Sequence, residues 1–291
     1  MANMIAVQGD VAGAGATTWW GLHGDVRGDA LERAWRAQGL ETAWLPEPTT
    51  PAQRLGRAVR SVSSLRKLAR PVERRGHWAC VTESVAGEGA QRTVAHETTL
   101  TAWVTASGGV EFSTLLDPAP AIAGAFAASL GWLTRDDVAL WLADVIKRVY
   151  GTPLRDRGGV YYVPPTQVAT WRQVAAALDA CGAGRVYTLP TVQGEDCALA
   201  VLDALTRDVG GDLDTLVEQA ETRSVGGRAL RARARDCDEV LRRLEQYAGV
   251  LGTSLDALRE RVLVAQDLSL TTAWAIEAEA ASADDAATAA S

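Results

Sequence analysis

The sequence predicts an α+β fold: a globular α/β body with a three-stranded antiparallel meander, followed by a C-terminal antiparallel helical hairpin. Between residues 77 and 115, apolar side chains recur at every second position, which is typical of strands. Between residues 199 and 251 they recur every three or four positions on both sides of a Gly-Gly break, which is typical of two paired helices. Hydrophobic residues make up 47% and charged residues 22% of the 291-residue chain, so a packed core is expected.

Four segments are predicted along the chain. Residues 1–16 are rich in small residues and are expected to form a flexible N-terminal arm, and residues 17–192 form the body. Residues 193–279 form the helical hairpin and a third helix. Residues 280–291 are small and polar without an apolar anchor, so a disordered tail is expected there.

The first half of the body alternates extended and helical signals. Residues 17–22 predict a short strand, and the helix that follows should end at Gly39, since glycine is a common helix stop. Residues 42–45 are predicted to be extended. Thr50 followed by Pro51 predicts the start of the next helix, because proline at the first helical position loses no needed N–H group.

The meander occupies the middle of the body. Residues 77–85, 92–106 and 110–115 are rich in valine, threonine and tryptophan and are separated by glycine-containing turns. After the meander, Thr134 is predicted to cap a helix whose first turn carries Asp136 and Asp137, where acidic side chains favour the helix dipole.

Two stretches of the body share one order of elements. Residues 17–65 and residues 160–209 both read as strand, helix, glycine, strand, Leu-Pro, loop and helix. An internal duplication explains this order, although helix–glycine–strand is also a common local pattern.

The C-terminal helices have the clearest periodicity. Apolar residues of the second arm alternate steps of four and three: Leu230, Ala234, Cys237, Leu241, Leu244, Ala248 and Leu251. This heptad-like seam predicts a hairpin that turns near Gly226, with a third helix from Thr253 or Ser254 to Leu268. Residues 199–268 are therefore expected to bind a protein partner or a second copy of the chain.

The charge distribution is uneven. The chain has a net charge of −7, yet residues 54–75 hold eight basic residues and one acidic residue, a net of +7. The basic residues are Arg54, Arg57, Arg60, Arg66, Lys67, Arg70, Arg74 and Arg75. A concentrated basic stretch in an acidic protein predicts a nucleic-acid contact surface, and a solvated linker leaning on the acidic remainder is the alternative.

A second basic group lies on the second arm of the hairpin. Arg228, Arg231, Arg235 and Arg242 share one helix face, and the first arm carries six acidic residues. Ion pairs between the two arms are expected, each worth about 0–1 kcal/mol on the surface.

Catalytic and metal-binding patterns are weak. His77, Cys80 and His96 could form a hydrolase-type site with Cys80 as nucleophile and His96 as base, but a structural zinc site needs a fourth ligand. The glycine-rich residues 9–18 lack the lysine of a phosphate-binding loop. No cofactor and no metal are therefore predicted.

Location follows from the cysteines and the hydropathy. Cys80, Cys181, Cys197 and Cys237 are scattered and are expected to be free thiols. The chain starts without a signal peptide and has no apolar run of about 18 residues. A cytoplasmic protein without membrane contact is expected.

The phrase from Leu154 to Pro164, LRDRGGVYYVP, resembles the signature of a group of bacterial, phage and mobile-element proteins of unknown function. In that group a GGVYFVP-like phrase precedes a helix, a strand ending in Leu-Pro and a long helical end, and the similarity in order covers residues 130–265. The resemblance implies no activity and no catalytic residue, but it implies a role around DNA or phage biology.

Together these patterns predict a non-catalytic nucleic-acid-associated or assembly protein. Residues 54–75 would be its contact surface and residues 199–268 its protein–protein element. The alternatives are a hydrolase-type enzyme that uses His77, Cys80 and His96, and a purely structural oligomer.

Overall fold

The computed structural model describes residues 15–65, 67–72, 76–86, 93–156, 158–192 and 194–289. The strands in these residues are β1 (Ala16–Leu22), β2 (Val26–Arg27), β3 (Lys67–Pro71), β4 (His77–Ala86), β5 (Thr93–Val104), β6 (Val110–Phe112), β7 (Trp132–Leu133), β8 (Thr152–Pro153), β9 (Tyr161–Val163) and β10 (Gly184–Pro190). The helices are α1 (Gly28–Ala37), α2 (Pro51–Ser61), α3 (Ala119–Ala128), α4 (Arg135–Arg148), α5 (Val168–Ala180), α6 (Glu195–Glu221), α7 (Gly227–Leu251) and α8 (Asp256–Ala289). This mixture of helices and antiparallel sheets confirms the predicted fold class.

The first sheet joins the two ends of the body. Its strands lie in the order β10–β1–β9–β8, and each neighbouring pair is antiparallel. Helices α1, α4 and α5 cover one face and bury Trp35, Trp141 and Trp171 in a shared core. The sheet therefore packs the first strand of the body between strands that follow it by more than a hundred residues.

The meander has four strands where the sequence predicted three. Its order is β3–β4–β5–β6, all antiparallel, and α2 and α3 cover one face with Leu55, Val59 and Ile122. The additional strand β3 comes from the basic segment, so that segment is no linker. The sequence of β3, KLARP, does not alternate polar and apolar residues and so did not indicate a strand, but pairing with the edge of β4 stabilises one.

The helix starts follow their sequence signals. The Thr50 hydroxyl accepts a hydrogen bond from the Gln53 N–H, and Gln53 in turn accepts from the Thr50 N–H, with Pro51 at the first helical position. Thr134 and Asp137 form the same reciprocal capping box at the start of α4. Both predicted helix starts are confirmed.

The predicted strand at residues 42–45 is wrong. Thr42–Trp44 forms a short 3-10 turn, held because the Trp35 indole N–H donates to the Glu41 carbonyl and the Trp141 indole N–H donates to the Trp44 carbonyl. Both edges of β1 are already taken by β9 and β10, so this segment has no strand to pair with beside β1. The two halves consequently differ, and the structure gives no support to an internal duplication.

The C-terminal hairpin is confirmed. Helices α6 and α7 flank a turn at residues 222–226. Two contacts show that the helices run antiparallel: Gln219 contacts Arg233 near the turn, and Asp208 contacts Arg243 farther from it. Their seam and that of α8 form one continuous core.

The third helix α8 completes an up-down-up bundle. Gln266 donates to the Ala234 carbonyl of α7 at 3.0 Å, and Arg261 pairs with Asp214 of α6 at 2.9 Å. A Cβ added at Gly227 would lie 2.8 Å from the Ala273 carbonyl, so glycine permits this close approach of α7 and α8.

The predicted ends of the chain need correction where the structure describes them. Residues 280–289, expected to be disordered, continue α8, because alanine has the highest helix propensity. Ala16, expected in a flexible arm, is buried in β1. The rest of the arm (residues 1–14) and residues 290–291 lie outside the described residues.

Candidate functional site

The eight basic residues predicted to contact nucleic acid do not form one surface in the part of the chain that the structure describes. Arg66, Arg74 and Arg75 lie outside the described residues. Of the other five, three are carried by α2 and two by β3.

Arg54 is inside the protein. The residue is only 9% exposed. Its guanidinium lies 4.3 Å from the centre of the Phe126 ring, and its Nη2 donates to the Phe126 carbonyl at 3.1 Å. Nε donates to the Ser129 hydroxyl at 3.3 Å. Arg54 therefore ties α2 to the end of α3 and is not available to a long polyanion.

Arg57 is also occupied. It donates from Nη1 and Nη2 to both carboxylate oxygens of Asp137, at the capped start of α4. Burial raises the pKa of Asp137, but hydrogen bonds from Arg57 and Thr134 outweigh burial and leave this pKa below its usual value. The carboxylate thus stays charged at neutral pH and holds Arg57 in an ion pair within the fold.

Arg60, Lys67 and Arg70 reach the surface. The Arg60 guanidinium lies 5.0 Å from the centre of the Trp78 ring, and Lys67 Nζ pairs with Asp117 at 3.2 Å. Arg70 is exposed on the outer strand of the meander sheet. Contact of these three residues with nucleic acid stays a prediction.

The open face of the meander sheet carries a stacked ring pair. The His77 and Trp103 rings lie opposite each other on β4 and β5, with centroids 5.9 Å apart and planes 14° apart. The Trp103 indole N–H donates to Glu111 at 3.0 Å. Arg70 lies on the same face, because it is directly opposite Ala79, two positions from His77.

His77, Cys80 and His96 do not assemble a catalytic or metal site. Cys80 is three positions from His77 and is buried on the opposite face of the sheet. His96 is paired with Glu83, six positions along β4, or about 20 Å from His77. Burial raises the pKa of the Cys80 thiol, so it is not an activated nucleophile. This geometry excludes the hydrolase-type site.

The other three cysteines are not activated nucleophiles either. Cys181, Cys197 and Cys237 are also free, and burial raises the pKa of each thiol. Within the described ranges, no cluster of three or more histidine, cysteine or carboxylate side chains could hold a metal ion.

A buried polar network joins the C-terminal helices to the body. Arg243 of α7 donates from Nη2 to Asp208, to the Thr152 hydroxyl at 2.7 Å and to the Gly151 carbonyl at 3.2 Å. The Tyr247 hydroxyl donates to the Tyr150 carbonyl at 2.6 Å. Burial raises the pKa of Tyr247 to about 12, so the phenol is a neutral donor and not a general base.

The resemblance phrase begins directly after β8 and contains β9, which pairs with β8 beside this network. Arg207 of α6 pairs with Asp156 at 3.0 Å and donates to the Leu154 carbonyl at 3.4 Å. Tyr162 packs into the core of the C-terminal helices. The phrase therefore positions the helical bundle against the body.

The expected ion pairs between the hairpin arms are not formed by the arginines predicted to form them. Arg231 pairs with Glu277 of α8 and Arg242 with Glu239 of its own helix, and among the described residues none of the four predicted arginines pairs with the first arm. The cross-arm pair is made instead by Arg243, outside the predicted group, with Asp208.

Helix α8 has a second apolar face besides the one in the core. Leu263 is 52% exposed, Trp274 is 60% exposed, and Leu270 is half-buried between them. Steps of seven and four place the three side chains on one side of the helix. Sequence analysis missed this stripe, although the same spacing is present in the sequence.

The comparison with known families places the chain in a family. The model of a family of unknown function, DUF6744, matches residues 15–281, and the chain therefore belongs to this family. No curated protein and no solved structure has a significant match to the chain. Within the described residues, no helix is long and apolar enough to cross a membrane.

Proposed function

We propose that this member of the DUF6744 family is a non-catalytic assembly protein whose C-terminal helices bind a second copy of the chain. The observation that carries the proposal is the exposed stripe Leu263, Leu270 and Trp274 on α8. Several exposed apolar side chains along one side of a helix mark an interaction surface more often than a single exposed one does.

The charges beside the stripe favour a second copy as the partner. On one side of the stripe lies a basic face of α7 that contains Arg228, Arg235 and Arg242. This face is next to α8, as the ion pair between Arg231 of the same face and Glu277 of α8 shows. On the other side α8 carries exposed Glu260 and Asp267.

A two-fold axis parallel to α8 would bring the acidic border of each copy against the basic border of the other. The stripe is then self-complementary, as an isologous dimer interface requires. Free thiols persist in reducing compartments, so we place this assembly in the cytoplasm.

We expect the purified chain to sediment as a dimer and Leu263→Lys to sediment as a monomer. The lysine would place an unpaired charge in the apolar centre of the interface, which we expect to weaken association by at least about tenfold. Leu140→Lys is the matched control, because Leu140 is 70% exposed on α4, away from the stripe. A parent chain that is monomeric at all concentrations would reject the proposal.

A charge exchange separates a second copy from a different protein partner. The Glu260→Arg, Asp267→Arg variant should associate weakly with itself, because its like-charged borders meet. Mixed with an Arg235→Glu, Arg242→Glu variant, it should form the heterodimer. If mixing restores no association, the borders are not in contact and the two-fold arrangement is wrong.

Nucleic-acid association is the second candidate, and the resemblance to phage and mobile-element proteins adds to it. The observation that favours it is the stacked pair His77 and Trp103 with Arg70 on the same open sheet face. Aromatic rings on a sheet stack unpaired bases, and arginine contacts phosphate or base. This face therefore suits single-stranded nucleic acid better than a duplex.

We expect weak, salt-sensitive binding of single-stranded DNA, measured by fluorescence anisotropy. Trp103→Ala should weaken it by about 1–3 kcal/mol through lost stacking. Arg70→Ala should reduce the salt slope by about 0.7, the contribution of one phosphate contact on a single strand. Arg33→Ala on α1 removes equal charge elsewhere and should change little. Equal affinity of all variants, or no binding at low salt, would contradict this function.

A further inference from the structure

A cavity of about 390 Å³ lies between the first turn of α1, residues 45–49 and the connection from α3 to α4. Leu45, Pro46, Leu130 and Leu133 contribute apolar walls, and the Thr49 and Ser129 side chains line the same space. Cavities of this size and mainly apolar lining are typical of small-molecule sites.

Arg54 provides a buried positive charge at the wall of this cavity. Its residue is 9% exposed, and its hydrogen bonds go to two neutral acceptors, the Phe126 carbonyl and the Ser129 hydroxyl. Among the described residues it forms no ion pair, and its Nη1 makes no hydrogen bond. Buried charges are usually paired, because an uncompensated charge in a low-dielectric site is costly.

The acidic residues near the cavity do not neutralise Arg54. Asp29 pairs with Arg27 and Arg33, both at 2.9 Å, and Glu32 pairs with Arg36 at 2.8 Å. Hydrogen bonds from Arg27 and then Arg33 lower the pKa of Asp29 to about 2, so these pairs persist at neutral pH. These two carboxylates already pair with three arginines, so neither is available to pair with Arg54.

We infer that this cavity binds a small molecule with one carboxylate group on an apolar body. The carboxylate would accept from Arg54 Nη1, with the Thr49 hydroxyl as a further donor, and the apolar body would contact Leu45 and Leu130. The first turn of α1, which also lines the cavity, adds partial positive charge. A dianion is disfavoured, because the carboxylates of Asp29 and Glu32 line the same cavity.

Isothermal titration with benzoate, benzamide and inorganic phosphate tests the inference on the full chain. We expect benzoate to bind, and benzamide, which has the same shape without the charge, to bind at least about tenfold more weakly. Phosphate should bind more weakly than benzoate. No binding of benzoate, equal binding of benzamide, or tighter binding of phosphate would each overturn the inference.

Two substitutions locate the bound probe. Leu130→Trp should fill the cavity and abolish benzoate binding, since Leu130 is 64% exposed at its edge and can be enlarged without disturbing the core. Leu140→Trp on α4 is the control and should bind like the parent. Arg54→Met should also lose binding, and Leu130→Trp decides the question if that variant does not fold. Unchanged binding in Leu130→Trp would place the probe elsewhere and reject the site.

Discussion

Replacing Asp208 with alanine is expected to lower the free energy of unfolding by about 3 kcal/mol, because the substitution leaves the Arg243 charge without its carboxylate partner. The Arg243 side chain is 18% exposed and the Asp208 side chain is 31% exposed, so the pair is largely enclosed. Arg243 Nε already lacks a hydrogen-bond partner in the described structure. Partial solvent access places the effect at the lower end of the range for buried pairs.

Urea unfolding followed by circular dichroism measures this effect. Asp208→Leu combined with Arg243→Met removes both charges, and it should be less destabilising than Asp208→Ala alone. Asp214→Ala is the control, because its pair with Arg261 is exposed and should be worth less than about 1 kcal/mol. If Asp208→Ala costs no more than this control, the network does not hold the bundle to the body.

Sequence patterns predicted those features that depend on neighbouring residues. Thr50 and Thr134 begin helices where predicted, because a cap is a contact between residues three positions apart. The hairpin turn near Gly226 followed from the apolar seam on both sides of it. These interactions are short-range, so the local sequence contains the information they need.

Features that depend on distant pairing were missed. The strand β3 exists because its residues pair with β4, and residues 42–45 are not a strand because β9 and β10 occupy both edges of β1. Neither the availability of a strand edge nor its occupation can be inferred from a short sequence window.

In the candidate sites, too, the sequence predicted what depends on local spacing and missed what depends on distant packing. Charge counting grouped Arg54 and Arg57 with exposed basic residues, but one is buried against Phe126 and the other pairs with Asp137. The spacing of charges along α2 does not determine which side faces α3 and α4. The second apolar stripe on α8, in contrast, has a periodic signal that a search of every helix face would have found.

Replacing Trp171 with alanine is expected to lower the free energy of unfolding by about 4 kcal/mol, because it empties the centre of the body core. Trp171 is fully buried on α5 and contacts the Trp20 ring at 6.2 Å between centroids. Its indole N–H donates to the Thr18 hydroxyl at 2.8 Å, and Thr18 donates to the Tyr187 carbonyl at 2.8 Å. One side chain thus fixes α5 to both β1 and β10.

A Trp171→Phe variant separates the volume from the hydrogen bond. It retains most of the apolar contact but leaves the Thr18 hydroxyl without its donor, so a loss of about 1–2 kcal/mol is expected in the same urea experiment. Leu140→Ala removes an exposed side chain from α4 and should change the free energy of unfolding by less than about 0.5 kcal/mol. If Trp171→Phe lowers the free energy of unfolding as much as Trp171→Ala does, the expectation that packing contributes most is wrong. The hydrogen bonds through Thr18 would then contribute more to stability than the packing of the indole ring.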